Sequence, residues 1–340
     1  MGSCAAPSAK GDDKFITTDY LQQCRRQNVP HEKAAPLPAT RSHPLTALIA
    51  VFTLPPLLWA GNFIVGRAVR DDIPPVTLTL VRWLVALVII LPFALPHIRR
   101  DWPRYLQHAG RIVAISLSGI AAFSLLVYFG LHHTSGTNAL LLNSCVPVLI
   151  LLFSAVFWGA RLNMTQITGL LLSCAGVLTI IFRGDPRGLL TLAFSSGDLL
   201  LLGAMTCFAF YTLWLRGLPA DINRLGLLGV QVMITLIAVS LLWPWEHASG
   251  ESANWKTSTL AAVLFLGAGP SFVSYLLFGR CVEMIGAARA GLSIHLIPVF
   301  GVALSLLFLG EPLHLFHLVG IVTILIGVSF ATSVKQGNQK

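Results

Sequence analysis

The chain has 340 residues, of which 55% are hydrophobic and only 11% charged, with mean hydropathy +0.76. Soluble domains carry charge on roughly a quarter of their residues, so this composition excludes an ordinary soluble enzyme or binding module and indicates a chain dissolved in a bilayer. The +9 balance, 23 Lys/Arg against 14 Asp/Glu, would suggest a nucleic-acid partner in a soluble protein. Here the basic residues flank apolar runs, which makes them topology signals and argues against nucleic acid.

Residues 1–44 are polar, rich in Pro and Ala, and without a sustained apolar run, so they read as a disordered cytoplasmic tail. No apolar core of a signal peptide is present near the start, and Met1-Gly2-Ser3-Cys4 departs from the myristoylation pattern at Ala6. Apolar segments of about 17 to 23 residues follow, the length a helix needs to cross roughly 30 Å of hydrocarbon. They predict an all-α integral membrane protein with ten transmembrane helices at 45–65, 76–95, 112–131, 138–158, 165–182, 198–215, 225–243, 260–278, 287–309 and 315–334. The tracts 70–75, 97–111, 183–197, 216–224 and 244–258 read as connectors, none long enough for a soluble domain.

Residues 135–182 and 286–333 are the same stretch twice. An offset of 151 residues carries Pro147 onto Pro298, Gly159 onto Gly310, Gly169 onto Gly320 and Gly176 onto Gly327. Prolines and glycines determine backbone, so their register signals an internal duplication. The organisation expected is a first five-helix repeat at 45–182, a periplasmic linker at 183–197, a second five-helix repeat at 198–334 and a cytoplasmic tail at 335–340. Five is odd, so the two repeats enter the membrane from opposite sides. Inverted repeats are a hallmark of secondary transporters, whose substrate site lies near the midplane between the halves. With the N-terminus cytoplasmic, 17 Lys/Arg fall on the cytoplasmic side and 5 on the other, which places both termini inside.

Trp59-Ala60-Gly61-Asn62-Phe63, then Arg82-Trp83 after Pro74-Pro75, then Pro298, Leu309-Gly310-Glu311-Pro312, Gly320 and Gly327 resemble the drug/metabolite transporter superfamily, in its ten-helix EamA-type branch. The resemblance covers about residues 45 to 334. The first half departs from it, with Trp158-Gly159-Ala160-Arg161 where a Gly-Glu pair is common, which puts a symmetric acidic pair in doubt. The resemblance implies a multi-pass inner-membrane protein that exports amino acids or related small metabolites by alternating access, along a path among helices one, three, four, six, eight and nine.

Candidate path residues follow from polarity inside apolar spans. Pro147 and Pro298 each remove a backbone donor within a helix and are hinge candidates, a packing kink being the other reading. Asn143 and Ser144 stand within a turn of the first proline, and His295 within a turn of the second, where its charge can change near neutral pH. Arg82 lies on the order of 10 Å inside the second span, where a charge either marks function or snorkels to the headgroups. Trp59, Asn62, Tyr211, Ser271 and Tyr275 complete the set. Gly169, Ser173 and Gly176 in span five, and Ala290 and Gly291 in span nine, read as close-packing positions.

No Walker A loop, H-E-x-x-H or G-x-S-x-G is present, and the six cysteines lack metal-ligand spacing. The expectation is a non-enzyme with no cofactor or metal, free thiols, a small-molecule substrate, the lipid bilayer as partner, and protons or a counter-solute as the driving species. Alternatives are a transporter of drugs, nucleobases or sugars, or a lipid-handling membrane enzyme. The last needs an acid/base cluster, and the dense charges Arg99, Arg100, Arg104 and Arg111 have only Asp101 among them.

Overall fold

The structure, a computed structural model, describes residues 45–134, 139, 142–160, 163–182, 184–185, 187, 195–219, 221–309 and 314–333. The tails 1–44 and 335–340, most of the expected linker, and Gly310-Glu311-Pro312 lie outside these. Among the described residues every regular element is helical. In chain order they are α1 (Leu45–Ala68), α2 (Pro75–Gln107), α3 (Ala109–His133), α4 (Val146–Trp158), α5 (Met164–Ile181), α6 (Ser196–Arg216) and α7 (Arg224–Ser240). A short helix at Trp243–Ala248 follows, then α8 (Thr257–Ile285) and α9, which is built from Ala287–Leu292, a 3-10 turn at Ser293–His295, and Leu296–Leu309. The last is α10 (Leu315–Ser333).

Among the described residues α1, α2, α3, α6, α8 and α9, and α7 taken with the short helix that continues it to Ala248, are long and apolar enough to cross a membrane, while α4, α5 and α10 are shorter apolar helices. Large apolar side chains cover the outside, among them Val88 and Phe93 of α2, Leu199 of α6, Ile237 of α7 and Val322 of α10. Water would penalise such a surface and lipid does not, so this is a membrane-embedded multi-pass protein.

The 151-residue offset recurs in the helix bounds. It carries α3 onto α8, α4 onto the second part of α9, and α5 onto α10. Both α3 and α8 contain a π-helical turn, at Leu117–Ala122 and Gly267–Val273, and the offset superimposes these as well.

Two of the tightest contacts join helices that the offset relates. A methyl group at Gly169 would sit 2.6 Å from the Gly327 carbonyl oxygen, and one at Gly176 would sit 2.7 Å from that of Gly320. On α5 and α10, therefore, backbone meets backbone, as small-residue faces allow. Rising numbers on one helix meet falling numbers on the other, so the two run antiparallel. In the same way Gly229 of α7 faces Ala94 of α2 and Gly226 faces His97, again antiparallel.

The tract 97–111, expected as a connector, is helix as far as Gln107, which leaves only His108 between α2 and α3. The reason is tertiary. Ala94, Ile98, Asp101 and Tyr105 form one buried face, the glycines of α7 let that face close in, and the Asp101 carboxylate accepts the Asn223 backbone N–H at 3.2 Å. This packing outweighs the helix-breaking cost of Pro92, Pro96 and Pro103.

The other end of α2 is held by a buried acid. The Glu246 carboxylate, 2% exposed, accepts from Val76 N at 2.7 Å, Thr77 N at 2.8 Å and Thr77 Oγ1 at 2.6 Å. It satisfies two of the helix's unpaired N-terminal donors and complements the helix dipole. Glu246→Ala should destabilise the fold by about 2–3 kcal/mol, read as a lower melting temperature in detergent, with Glu246→Gln losing less.

Candidate functional site

The centre of the bundle is built on a charge. Pro75 opens α2 with its ring at a helix position that needs no donor, and two turns later the helix places Arg82 in the core, 4% exposed. Arg82 therefore does not snorkel. Its Nε donates to Ser271 Oγ at 2.7 Å and its Nη1 to Asn62 Oδ1 at 3.0 Å and to the Tyr128 hydroxyl. The Tyr128 hydroxyl in turn donates to Asn62 Oδ1 at 3.0 Å. The guanidinium carbon lies 5.2 Å from the Trp83 ring centroid and 5.4 Å from that of Tyr128, within cation-π range. Among the described residues it has no ion-pair partner.

The π-helical turn of α8 supplies the acceptor. Pro270 has no N–H for the Leu266 carbonyl, and the Ser271 hydroxyl donates to that oxygen at 2.7 Å while its lone pair receives Arg82. Trp59 Nε1 donates to the Pro270 carbonyl at 3.3 Å. The matching turn of α3 offers the Gly119 carbonyl, which accepts from the Tyr275 hydroxyl at 2.8 Å. Thus both helical defects are used to fix polar aromatic side chains.

Those aromatics form a wall. Trp59 meets Phe208 at 5.5 Å and Tyr275 at 5.8 Å between centroids, both near edge-on, and Tyr275 meets Trp83 at 5.2 Å. Between the wall and Arg82 lies a cavity of about 20 Å³, lined by Trp59, Asn62, Arg82, Asn143, Phe208 and Tyr275 and completed by Phe63, Phe123, Ile294 and Ile297. That is room for about one water molecule. The buried Asn143 Nδ2 has no hydrogen-bond partner among the described residues.

Five residues singled out from sequence, Trp59, Asn62, Arg82, Asn143 and Tyr275, thus line one cavity, and Ser271 binds the arginine behind it. Tyr211 is not in the lining; it packs against Phe208 and Tyr275 and against Gly119, where an added methyl would overlap its ring. His295 forms a separate network. Its Nε2 lies 3.1 Å from the Ser144 carbonyl oxygen, so this nitrogen carries hydrogen, and its Nδ1 lies 2.6 Å from Ser173 Oγ. The Ser173 hydroxyl is also 2.9 Å from the Leu170 carbonyl. A fully buried imidazole therefore ties α9 to α5 and to the turn before α4.

Pro147 and Pro298 do not interrupt regular helices. Ser144 and Cys145 form a turn, α4 starts at Val146, and Pro147 occupies its first turn. Pro298 stands in the first turn after the 3-10 segment of α9. A proline is tolerated where backbone donors lack helical partners anyway, so each marks the restart of a helix after a break.

Tyr128, Phe123 and Phe208 were not anticipated. The tyrosine had a usable signal, a phenol in the middle of span three that needs a partner when buried; the phenylalanines had none in so apolar a chain.

A membrane-embedded bundle with a cationic, aromatic-walled cavity at its centre defines a membrane transport protein. The chain belongs to the EamA-like transporter family, whose model matches residues 45–182 and 195–333, and it is accordingly a transporter rather than an enzyme. It is 25% identical to the uncharacterized transporter YvbV of Bacillus subtilis, over 86% of this chain and 92% of that protein. It is 26% identical to a probable terminal-alkyne amino-acid exporter of Streptantibioticus cattleyicolor, over 78% of this chain and 87% of that one. A solved crystal structure shares the fold with TM-score 0.68 at 20% identity, over 85% of this chain and 97% of its own.

Ser271→Ala should leave the buried Arg82 Nε without a partner and cost about 2–3 kcal/mol, measured as a fall in melting temperature. Ser271→Thr, which keeps the hydroxyl, should lose less.

Proposed function

We propose that the protein is a secondary transporter that exports amino acids or related carboxylate-bearing metabolites across the inner, cytoplasmic membrane by alternating access. The observation that carries this reading is Arg82, a buried guanidinium bound only by neutral groups and facing a cavity. A substrate carboxylate is the partner it lacks, and a guanidinium receives one in a two-pronged geometry. The Asn143 amide supplies a further donor, and the aromatic wall suits an apolar side chain. The amino-acid exporter of Streptantibioticus supports the same class. The aromatic lining also favours a second reading, a flat drug-like or nucleobase substrate.

The architecture proposed is ten spans in two inverted five-helix repeats, 45–182 and 198–334, with 183–197 between them on the periplasmic side and both termini cytoplasmic. The antiparallel pairs α2 with α7 and α5 with α10 support it, because each joins helices related by the 151-residue offset. So does the bias of arginine towards one side. A cavity of about 20 Å³ is too small for an amino acid, so the form described is closed and the path opens by movement at the helix breaks beside Pro147 and Pro298. His295 spans that break and is the proposed proton-responsive group, a counter-solute being the alternative coupling species.

In proteoliposomes, labelled amino acids should accumulate and a pH gradient should speed them. Arg82→Gln should cut flux at least tenfold while the protein stays folded, and methyl esters of the substrate should not compete. His295→Asn should abolish the response to the gradient while substrate exchange persists. Full flux in Arg82→Gln would remove the carboxylate reading. Tags on the two termini should both be shielded in sealed right-side-out vesicles.

A further inference from the structure

A second cluster of cations lies away from the Arg82 cavity, where α6 ends, α7 begins and α8 turns into α9. Gly286, at φ +86°, makes that last turn in a backbone conformation that favours glycine, and it brings Arg289 into the first turn of α9. Arg216, Arg224 and Arg289 line one open pocket of about 300 Å³, with Glu283 as the one acid in its wall among the described residues. The Glu283 carboxylate takes the Arg224 Nε at 3.1 Å. Basic residues that merely set topology face water. Arg216 is exposed, but Arg224 and Arg289 are not: the Arg224 side chain is only 9% exposed, and its Nη1, together with Nε and Nη2 of Arg289, is buried without a hydrogen-bond partner among the described residues. Buried donors without acceptors in two of the three arginines that line one pocket are costly unless an acceptor joins their guanidinium groups.

We propose that this pocket is an anion-binding site, separate from the Arg82 cavity, that takes a phosphate group. Three guanidinium groups against one carboxylate leave a net charge of +2, which a phosphate monoester dianion neutralises. Its three terminal oxygens can accept from several forks at once, whereas a carboxylate has two. The pocket is wide enough for the phosphate and the start of its ester chain. It opens at the end of the bundle that also carries Arg104 and Arg111, which reach the α6–α7 connection at Asp221 and at the Gly217 carbonyl. The phosphate can come from a soluble metabolite or from a phospholipid headgroup, since both present the same oxygens. Occupancy would pin the start of α9, five residues before Ile294 in the lining of the central cavity.

The site is independent of the transport reading, because binding is measured without flux. Inorganic phosphate is titrated calorimetrically into the detergent-purified full chain. In parallel, lipid retention is followed by native mass spectrometry from nanodiscs of phosphatidylcholine with and without phosphatidic acid. The expected result is saturable binding of at least one probe, weakened at least tenfold in Arg289→Gln and several-fold in Arg216→Gln, with Arg289→Lys intermediate. Arg216 is exposed, so its variant tests the site without threatening the fold. Binding of phosphate alone assigns a soluble ligand, and retention of phosphatidic acid alone assigns a headgroup. Saturable binding of neither, or unchanged binding in both glutamine variants, overturns the proposal.

Discussion

A guanidinium in the hydrocarbon layer with no carboxylate beside it among the described residues is the constraint to which the centre of this protein answers. Leaving such a charge unsolvated is costly, and here the compensation comes entirely from dipoles: a serine hydroxyl, an asparagine carbonyl, a phenol and two aromatic faces. None of these can be removed cheaply, because each is itself fixed from behind. Ser271 is held by the carbonyl that Pro270 cannot serve, Tyr128 by Asn62, and Trp83 by Ser124 at 3.1 Å. The charge is retained in the core by a network that would be needless for a neutral side chain.

The scaffold is duplicated while the chemistry is not. Backbone devices recur at the 151-residue offset: the π-helical turns of α3 and α8, the glycine faces of α5 and α10, the helix restarts at Pro147 and Pro298. The cavity groups do not. The offset carries Arg82 onto Met233, Asn62 onto Leu213, Trp59 onto Phe210 and Tyr128 onto Gly279. What the copies share is what lets helices pack and bend, properties that depend on backbone and small residues. The polar groups stand at different positions in each copy, so the cavity has a cationic side from α1, α2 and α3 and an aromatic side completed by α6 and α8.

The parts legible in the sequence are those with a strong solvent signal. Apolar runs announced an all-helical membrane protein because lipid leaves little freedom in their length, and Arg82, Asn62 and Asn143 stood out because polarity is rare there. Phe208 and Phe123 were invisible, since an aromatic lining a cavity has the same composition as one filling a core. The extension of α2 past Pro96 was hidden for another reason. Proline and charge announce a loop locally, and only the facing glycines of α7, more than a hundred residues later, overrule them. His295 bonds to the carbonyl of Ser144, the residue that the 151-residue offset relates to it, whereas its other partner, Ser173, belongs to a helix that no spacing relates to it.

The unpaired charge of Arg82 has an electrical consequence. A membrane potential acts on each elementary charge that crosses it with about 2.3 kcal/mol per 100 mV. In the alternating-access carrier proposed above, the unloaded form would reorient its field around a net positive core; a monoanionic cargo would make the loaded form locally neutral, whereas a zwitterionic amino acid would leave its net charge positive. Voltage would then bear chiefly on the return of the unoccupied carrier for an anionic cargo, and on both half-cycles for a zwitterionic one.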